Sequence, residues 1–174
     1  VAGIGLGDVI NVRYAALMRL PSAASLYVIA LGSNRSGRHG RPAQEVTAAL
    51  LLLGDVIAVS PVMMTPPLGP ASRRYANAAA VITTPETPPV LLARLKAIER
   101  AFGRRRGQRW GSRVLDLDII LWSQGAWSDR QVTVPHPAFR QRQFVLEPLM
   151  RVAPNWRDSV TGLTVRQLHH RLRG

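Results

Sequence analysis

Apolar residues along this chain fall into short blocks whose period changes from one block to the next. LYVIAL (26–31) is a continuous apolar run containing β-branched residues; stopped by Gly32, it predicts a buried strand. PAQEVTAALLLLG (42–54) has helix-forming composition, an acid near its start and a glycine at its end. DVIAVSP (55–61) predicts a strand ended by proline. MMTPPLGPASRR (63–74) predicts a loop, because three prolines and a glycine disfavour both periodic structures. YANAAAVITT (75–84) predicts a third strand. TPPVLLARLKAIERAFG (87–103) predicts a helix: threonine before prolines at its start, apolar residues at three-to-four spacing, glycine after it. RVLDLDIILW (113–122) predicts a fourth strand and VTVPHP (132–137) a short one entering a turn. RQFVLEPLM (142–150) and TVRQLHHRL (164–172) predict short helices.

The order β-α-β-β-α-β, with additions at the C-terminus, predicts an α+β, ferredoxin-like core with an antiparallel sheet. A single domain is expected over residues 26–174. Residues 1–25 follow neither period and read as a dispensable N-terminal extension, in which Met18 is a possible start. They contain no basic segment leading into an apolar one, so no secretory signal is expected.

Composition narrows this picture. The 174 residues are 47% hydrophobic, enough for one core. The absence of cysteine removes disulfides and thiolate chemistry and suits a reducing, cytoplasmic setting. No apolar run reaches the roughly 18 residues that cross a bilayer. The net charge is +13, carried almost wholly by arginine, with Lys96 the only lysine. Such a surface attracts polyanions, but a GC-rich genome produces the same excess, so the placement of particular arginines is more informative than their number.

Placement singles out RWGSRVLDLDIILW (109–122). In a strand, residues i and i+2 project from one face. Asp116 and Asp118 therefore share a face, while Leu115, Leu117 and Ile119 pack the other. Two adjacent carboxylates without histidine or cysteine make a hard oxygen site suited to Mg²⁺, which completes its octahedron with water and substrate phosphates; two solvated acids on an edge strand would show the same spacing. GRRRGQRWGSR (103–113), directly upstream, joins loop glycines to arginines that can fork onto phosphate oxygens. Flexible arginines beside a carboxylate pair suggest phosphoryl transfer; a nucleic-acid-binding basic loop is the rival. Elsewhere GSN (32–34) is a weak signal, TPPLGP (65–70) a stiff loop able to line a pocket, and YAN (75–77) an aromatic ring and a carboxamide on one strand face. His136, between prolines, is expected to contact a ligand. His169 and His170, with no acid near them in sequence, are expected at the surface.

Taken together and in order, ALGSN, TPPLGP, YANAA, IE...GR.R, RWGSRVLDLDIIL, VPHP and R.FVLEPL closely resemble the 6-hydroxymethyl-7,8-dihydropterin pyrophosphokinase family over about residues 26–170. RWGSRVLDLDIIL is the specific element. The resemblance implies Mg-dependent transfer of pyrophosphate from ATP to the hydroxymethyl group of the pterin, giving AMP, in folate biosynthesis. It implies that Asp116 and Asp118 bind two Mg²⁺ ions and that Arg104 and Arg113 stabilise phosphate charge during transfer. Arg109 and Trp110 would belong to a loop that closes over ATP. His136, Arg142, Glu99 and Ile119 would join the nucleotide site. Tyr75 and Phe144 would sandwich the pterin ring, Asn77 would read its edge with Thr65, Pro66 and Leu68, and Gly32 would let the backbone approach it. Asp118 is the candidate acceptor for the hydroxyl proton, with acidification by metal as the alternative. The arginine loop departs from the family pattern at Gly107, where a lysine is sometimes found. A monomer or weak homodimer is expected, with neither nucleic acid nor membrane as partner. An inactive or altered-specificity paralogue and a basic ferredoxin-like nucleic-acid-binding module are the competing expectations.

Overall fold

The computed structural model describes residues 24–66, 73–103 and 113–173. Its main sheet is built from β1 (Ser25–Ser33), β2 (Val56–Val59), β3 (Met63–Thr65), β4 (Tyr75–Thr84) and β5 (Asp116–Trp122), in the order β2-β4-β1-β5 with β3 also on β4. Every pairing is antiparallel. Helices α1 (Pro42–Leu50) and α2 (Pro88–Ala101) connect β1 to β2 and β4 to β5, which is the split β-α-β arrangement expected from the element order. The additions are the ribbon β6 (Trp127–Ser128) and β7 (Thr133–Val134), a 3₁₀ turn at Phe139–Gln141, α3 (Gln143–Val152) and α4 (Val165–Arg173).

The helices form where their sequences satisfy the end groups and present an apolar stripe. Gly40 enters α1 at φ +121°, and Gln44 Oε1 accepts the Arg41 N–H at 2.7 Å. In α2, Pro88 opens the first turn, where a missing N–H costs nothing, and Leu91, Leu95 and Ile98 are buried at helical spacing. These side chains, with Val46 and Ala49 of α1, pack on Tyr27, Ile29, Leu31, Leu115, Leu117 and Ile119 to form one core. A second core lies on the opposite face, where Val145, Leu146 and Leu149 of α3 and Val165 and Leu168 of α4 cover Val28, Ala79, Val81, Ile120 and Leu121. A register shift between Val28 and Ile29 opposes the extra residue Ile120 in β5. Ile120 and Leu121 consequently both serve the second core, although neighbouring residues in a regular strand face opposite ways.

Several boundaries differ from the sequence expectation: β1 runs through Gly32 to Ser33 instead of stopping at it, and α1 ends at Leu50. Met63–Thr65 is a strand: it pairs with Tyr75–Asn77 before Pro66 ends it. It continues the β2 edge past Ser60, whose N–H donates to Ala79 O and whose Oγ accepts the Ala79 N–H, at 2.8 and 2.9 Å. β5 starts at Asp116, three residues later than expected, because Arg113 is engaged with the end of β1 instead of with a ladder. Among the described residues, no helix is long and apolar enough to cross a membrane. The expected extension, residues 1–25, lies outside the described residues apart from Ala24 and Ser25, where β1 begins.

Candidate active site at the open end of the sheet

Register carries the candidate residues to one place. Asp116 pairs with Gly32, Gly32 with Asn77, and Asn77 with Met63, giving a row across four strands. The next row inward is Asp118, Ala30 and Ala79. Because opposed residues in a ladder share a face, Asp116, Asp118, Asn77 and Tyr75 all project from the α3 side. Between the acids and the amide the floor holds only Gly32 and Ala30. A Cβ at Gly32 would sit 3.4 Å from Asn77 Oδ1, so the glycine keeps the floor low where a ligand must come close.

Asn77 is 5% exposed, and its Nδ2 donates to Thr65 Oγ1 at 2.8 Å. That bond uses one of the two amide N–H groups and leaves Oδ1 turned toward Gly32. Arg113 ion-pairs with Asp116, Nη1 to Oδ1 at 2.5 Å, both side chains being about 30% exposed. Its backbone is clamped by Asn34: Arg113 N–H donates to Asn34 Oδ1 at 2.7 Å, and Asn34 N–H donates to Arg113 O at 3.1 Å. Asn34 is 3% exposed and ties the end of β1 to the root of the arginine loop. The sequence reading gave GSN little weight; its signal was an amide directly after a strand, which needs a distant partner to interpret.

Burial, and then the charge on Asp116, push the Asp118 carboxyl above the usual carboxylate range, while His136 and Lys96 draw it part of the way back. Burial lowers the His136 imidazole; Asp118 opposes that shift and Arg142 adds to it. His136 is held by its N–H on Ile120 O at 3.0 Å, and its Nδ1 accepts the Ala138 N–H at 3.2 Å. Arg142 precedes α3, and its guanidinium lies 5.9 Å from the ring centre of Phe144. Like charges two residues apart on a half-buried face call for a cation. Asp116 and Asp118 supply hard oxygen donors, and no group of three metal-binding side chains exists among the described residues. The set suits an ion whose remaining positions are taken by water and phosphate.

Two expected nucleotide contacts, Glu99 and Ile119, lie beside or within the acid strand without projecting their side chains from the acids' face. Glu99 is fully buried on α2, where its Oε1 accepts the Leu117 N–H at 2.8 Å and pairs with Lys96 at 2.7 Å. It covers the outer edge of β5. Ile119 packs into the first core, behind the acids, and offers only its backbone to that face. His169, expected at the surface, is 9% exposed, and its Nε2 lies 3.0 Å from Glu147 Oε2 across the α3–α4 pair. That acid is 22 residues away in sequence, so no local pattern announced it. Pro66 is exposed at the end of β3. Arg104, Arg109, Trp110 and Leu68 lie outside the described residues.

Sheet order and acid placement define a ferredoxin-like α+β protein with a two-carboxylate site at one sheet end. Residues 28–154 match the family described as 7,8-dihydro-6-hydroxymethylpterin-pyrophosphokinase (HPPK), and the chain belongs to that family. A 2-amino-4-hydroxy-6-hydroxymethyldihydropteridine pyrophosphokinase of Pseudomonas aeruginosa is 41% identical over 135 residues, 74% of this chain and 81% of that protein. One of the same name from Synechocystis is 42% identical over 100 residues, 58% of this chain; the match spans about half of that relative's length, 51%. Among solved structures, Plasmodium falciparum HPPK-DHPS A437G with SDX-DHP superposes with a TM-score of 0.69 over 88% of this chain and 46% of that one. At 14% identity that likeness concerns the fold.

Proposed function

We propose that this chain transfers the terminal diphosphate of ATP to the hydroxymethyl oxygen of 6-hydroxymethyl-7,8-dihydropterin, releasing AMP, as a step of folate biosynthesis. Membership of the pyrophosphokinase family supports the reaction. The observation that carries its location is the row Asp116–Gly32–Asn77, which sets a carboxylate pair and a ring-reading amide on either side of a bare floor.

Asp116 and Asp118 would hold two Mg²⁺ ions, which would supply positive charge against the triphosphate. Arg113 exchanges Asp116 for phosphate oxygens, and Arg104 serves to stabilise the same phosphate charge. Arg109 and Trp110 cover the site and exclude water, which would otherwise take the diphosphate. His136 and Arg142 bind the nucleotide, with Glu99 and Ile119 behind the acid strand. The pterin lies between the rings of Tyr75 and Phe144, a stacked arrangement worth about 0.5–1.5 kcal/mol beyond burial. Asn77 Oδ1 accepts a ring N–H, and Thr65, Pro66 and Leu68 form the rim. The hydroxymethyl oxygen attacks the β-phosphorus. Its proton passes to Asp118, the bond from the β-phosphorus to the oxygen on the α-phosphorus breaks, and AMP leaves with that electron pair. The chain acts in the cytoplasm as a monomer or weak homodimer, without nucleic acid or membrane as partner. A nucleic-acid surface is disfavoured here because two acids stand where backbone phosphates would have to lie.

Product analysis tests the reading. Incubated with ATP and Mg²⁺, the protein is expected to release AMP only when the dihydropterin is present. ADP would instead mean attack at the γ-phosphorus, and the mechanism would be wrong. Tight binding of both substrates without turnover would identify a paralogue that has lost the reaction.

A further inference from the structure

The mechanism leaves unused an ion pair whose acid is fully buried. Asp158, in the turn before α4, is 0% exposed, and Arg140 grips it with Nε on Oδ2 and Nη2 on Oδ1, both at 2.7 Å. Thr161 Oγ1 donates to Oδ2 at 2.5 Å and the Val160 N–H to Oδ1 at 3.2 Å, so both oxygens accept two bonds. The Arg140 guanidinium also lies 4.9 Å from the ring centre of Phe139, which is fully buried in the second core. Burial alone would raise the Asp158 carboxyl, but Arg140, Thr161 and the Val160 N–H outweigh it and hold the acid ionised.

The place of this pair in the chain gives it a task. Arg140 belongs to the 3₁₀ turn between His136 and Arg142. Short backbone bonds join these residues into one strip: Phe139 N–H to His136 O at 3.2 Å, Arg142 N–H to Phe139 O at 3.2 Å, and Val145 N–H to Arg142 O at 3.0 Å. At its front the strip is fastened to β5 by His136 N–H on Ile120 O. At its middle the polar tether is Arg140 on Asp158. Phe139 resists lifting of the strip but, as an apolar plug, does not set its angle. A two-bond guanidinium–carboxylate fork does, because both bonds must align at once. Desolvation makes such a pair a poor source of stability compared with an apolar pair of similar volume; its advantage is a single geometry.

We propose that the Arg140–Asp158 pair is a positioning device for the ligand-binding strip 136–144, holding Arg142 and Phe144 at their distance from the acid pair. The inference rests on the functional reading above. Because Arg142 serves the nucleotide and Phe144 the pterin, loosening the fork weakens both substrates together and spares the chemical step.

The test uses Asp158→Asn and the double variant Arg140→Met/Asp158→Leu, which replaces the pair by apolar groups. In both, KM for ATP and KM for the dihydropterin are expected to rise about tenfold, with kcat within about twofold of wild type. The dissociation constant of a non-hydrolysable ATP analogue with Mg²⁺, measured by titration calorimetry, is expected to rise by the same factor. The double variant is expected to keep the wild-type melting temperature. A pair that only supports the fold would lower the melting temperature of Asp158→Asn while leaving KM and the dissociation constant unchanged well below melting. That result, full affinity in the double variant, or a fall in kcat alone would each overturn the proposal. If Asp158→Asn does not fold, the double variant decides. If the wild type binds the analogue but makes no AMP, the functional reading fails, while the affinity comparison still judges the pair.

Discussion

The two ends of β1 are made of opposite materials. Where the strand begins, Tyr27 is fully buried, stacks on Trp122 with ring centres 5.9 Å apart, and donates its hydroxyl to Glu86 O at 2.6 Å. Trp127 packs edge-on against Trp122, also at 5.9 Å. Where the strand ends, Ala30 and Gly32 leave bare backbone between Asp118, Asp116 and Asn77. Large rings pack the first end, whereas small residues at the second leave bare backbone with polar groups around it. One sheet thereby separates stability from chemistry along the length of a strand. The pair of like charges sits at the open end, on the face opposite the core residues Leu31 and Leu117.

This division predicts effects of different kinds at the two ends. The largest is expected at Asp116. Asp116→Ala should lower the rate of AMP formation about 10³-fold, near 4 kcal/mol in the barrier, and leave the melting temperature unchanged. Loss of the fold in that variant would show that the ends are not separate. Trp122→Ala should do the reverse, costing about 3–5 kcal/mol in denaturant titration while KM for both substrates stays at the wild-type value. Gly32→Ala places a methyl group 3.4 Å from Asn77 Oδ1. It should raise KM for the pterin about tenfold, or about 1.4 kcal/mol, more than KM for ATP. The smallest effect lies outside both ends. The hydrogen bond from His169, helped by His169, Arg173 and Arg151 charge, holds Glu147 below its ordinary value of 4.5. A carboxyl depressed in the folded state stabilises in full above its ordinary value, and that contribution fades as pH falls through the lower folded one. The pair, partly exposed on its Glu147 side, contributes at most about 1 kcal/mol. His169→Ala should therefore lower stability at neutral pH by at most about 1 kcal/mol and flatten the loss of stability as pH falls below 4.5, measured by denaturant titration across that range.

How much of this was visible in the chain depends on how far apart the partners are. The β4 boundaries, Tyr75 to Thr84, agree with the expected strand, and the two faces of β5 follow from alternation as far as Ile120, where the bulge interrupts it. The bare floor was only partly legible: Gly32 stood out as a glycine, but it read as the stop of β1 and not as a paired residue within it. Met63–Thr65 was hidden because three residues hold no period and the prolines behind them dominate the window. The late start of β5 was hidden for a different reason: Arg113 takes Asn34 as its partner, 79 residues away, and nothing local competes with a strand there. Glu147–His169 and Arg140–Asp158 are likewise contacts between elements, fixed by how α3 and α4 pack over the second face. Of the site itself, the acids, the amide and the rings were readable as residue types in order. Their meeting in one row depends on register, which only the folded sheet supplies.

The most direct test of the claim that the open sheet end holds the metal is the Mg²⁺ concentration giving half-maximal AMP formation, compared between the wild type and Asp118→Asn. Replacing one charged oxygen by an amide of the same shape should move that concentration upward at least about tenfold, or abolish turnover at any attainable Mg²⁺. An unchanged Mg²⁺ requirement with wild-type turnover would contradict the assignment and place the metal away from β5.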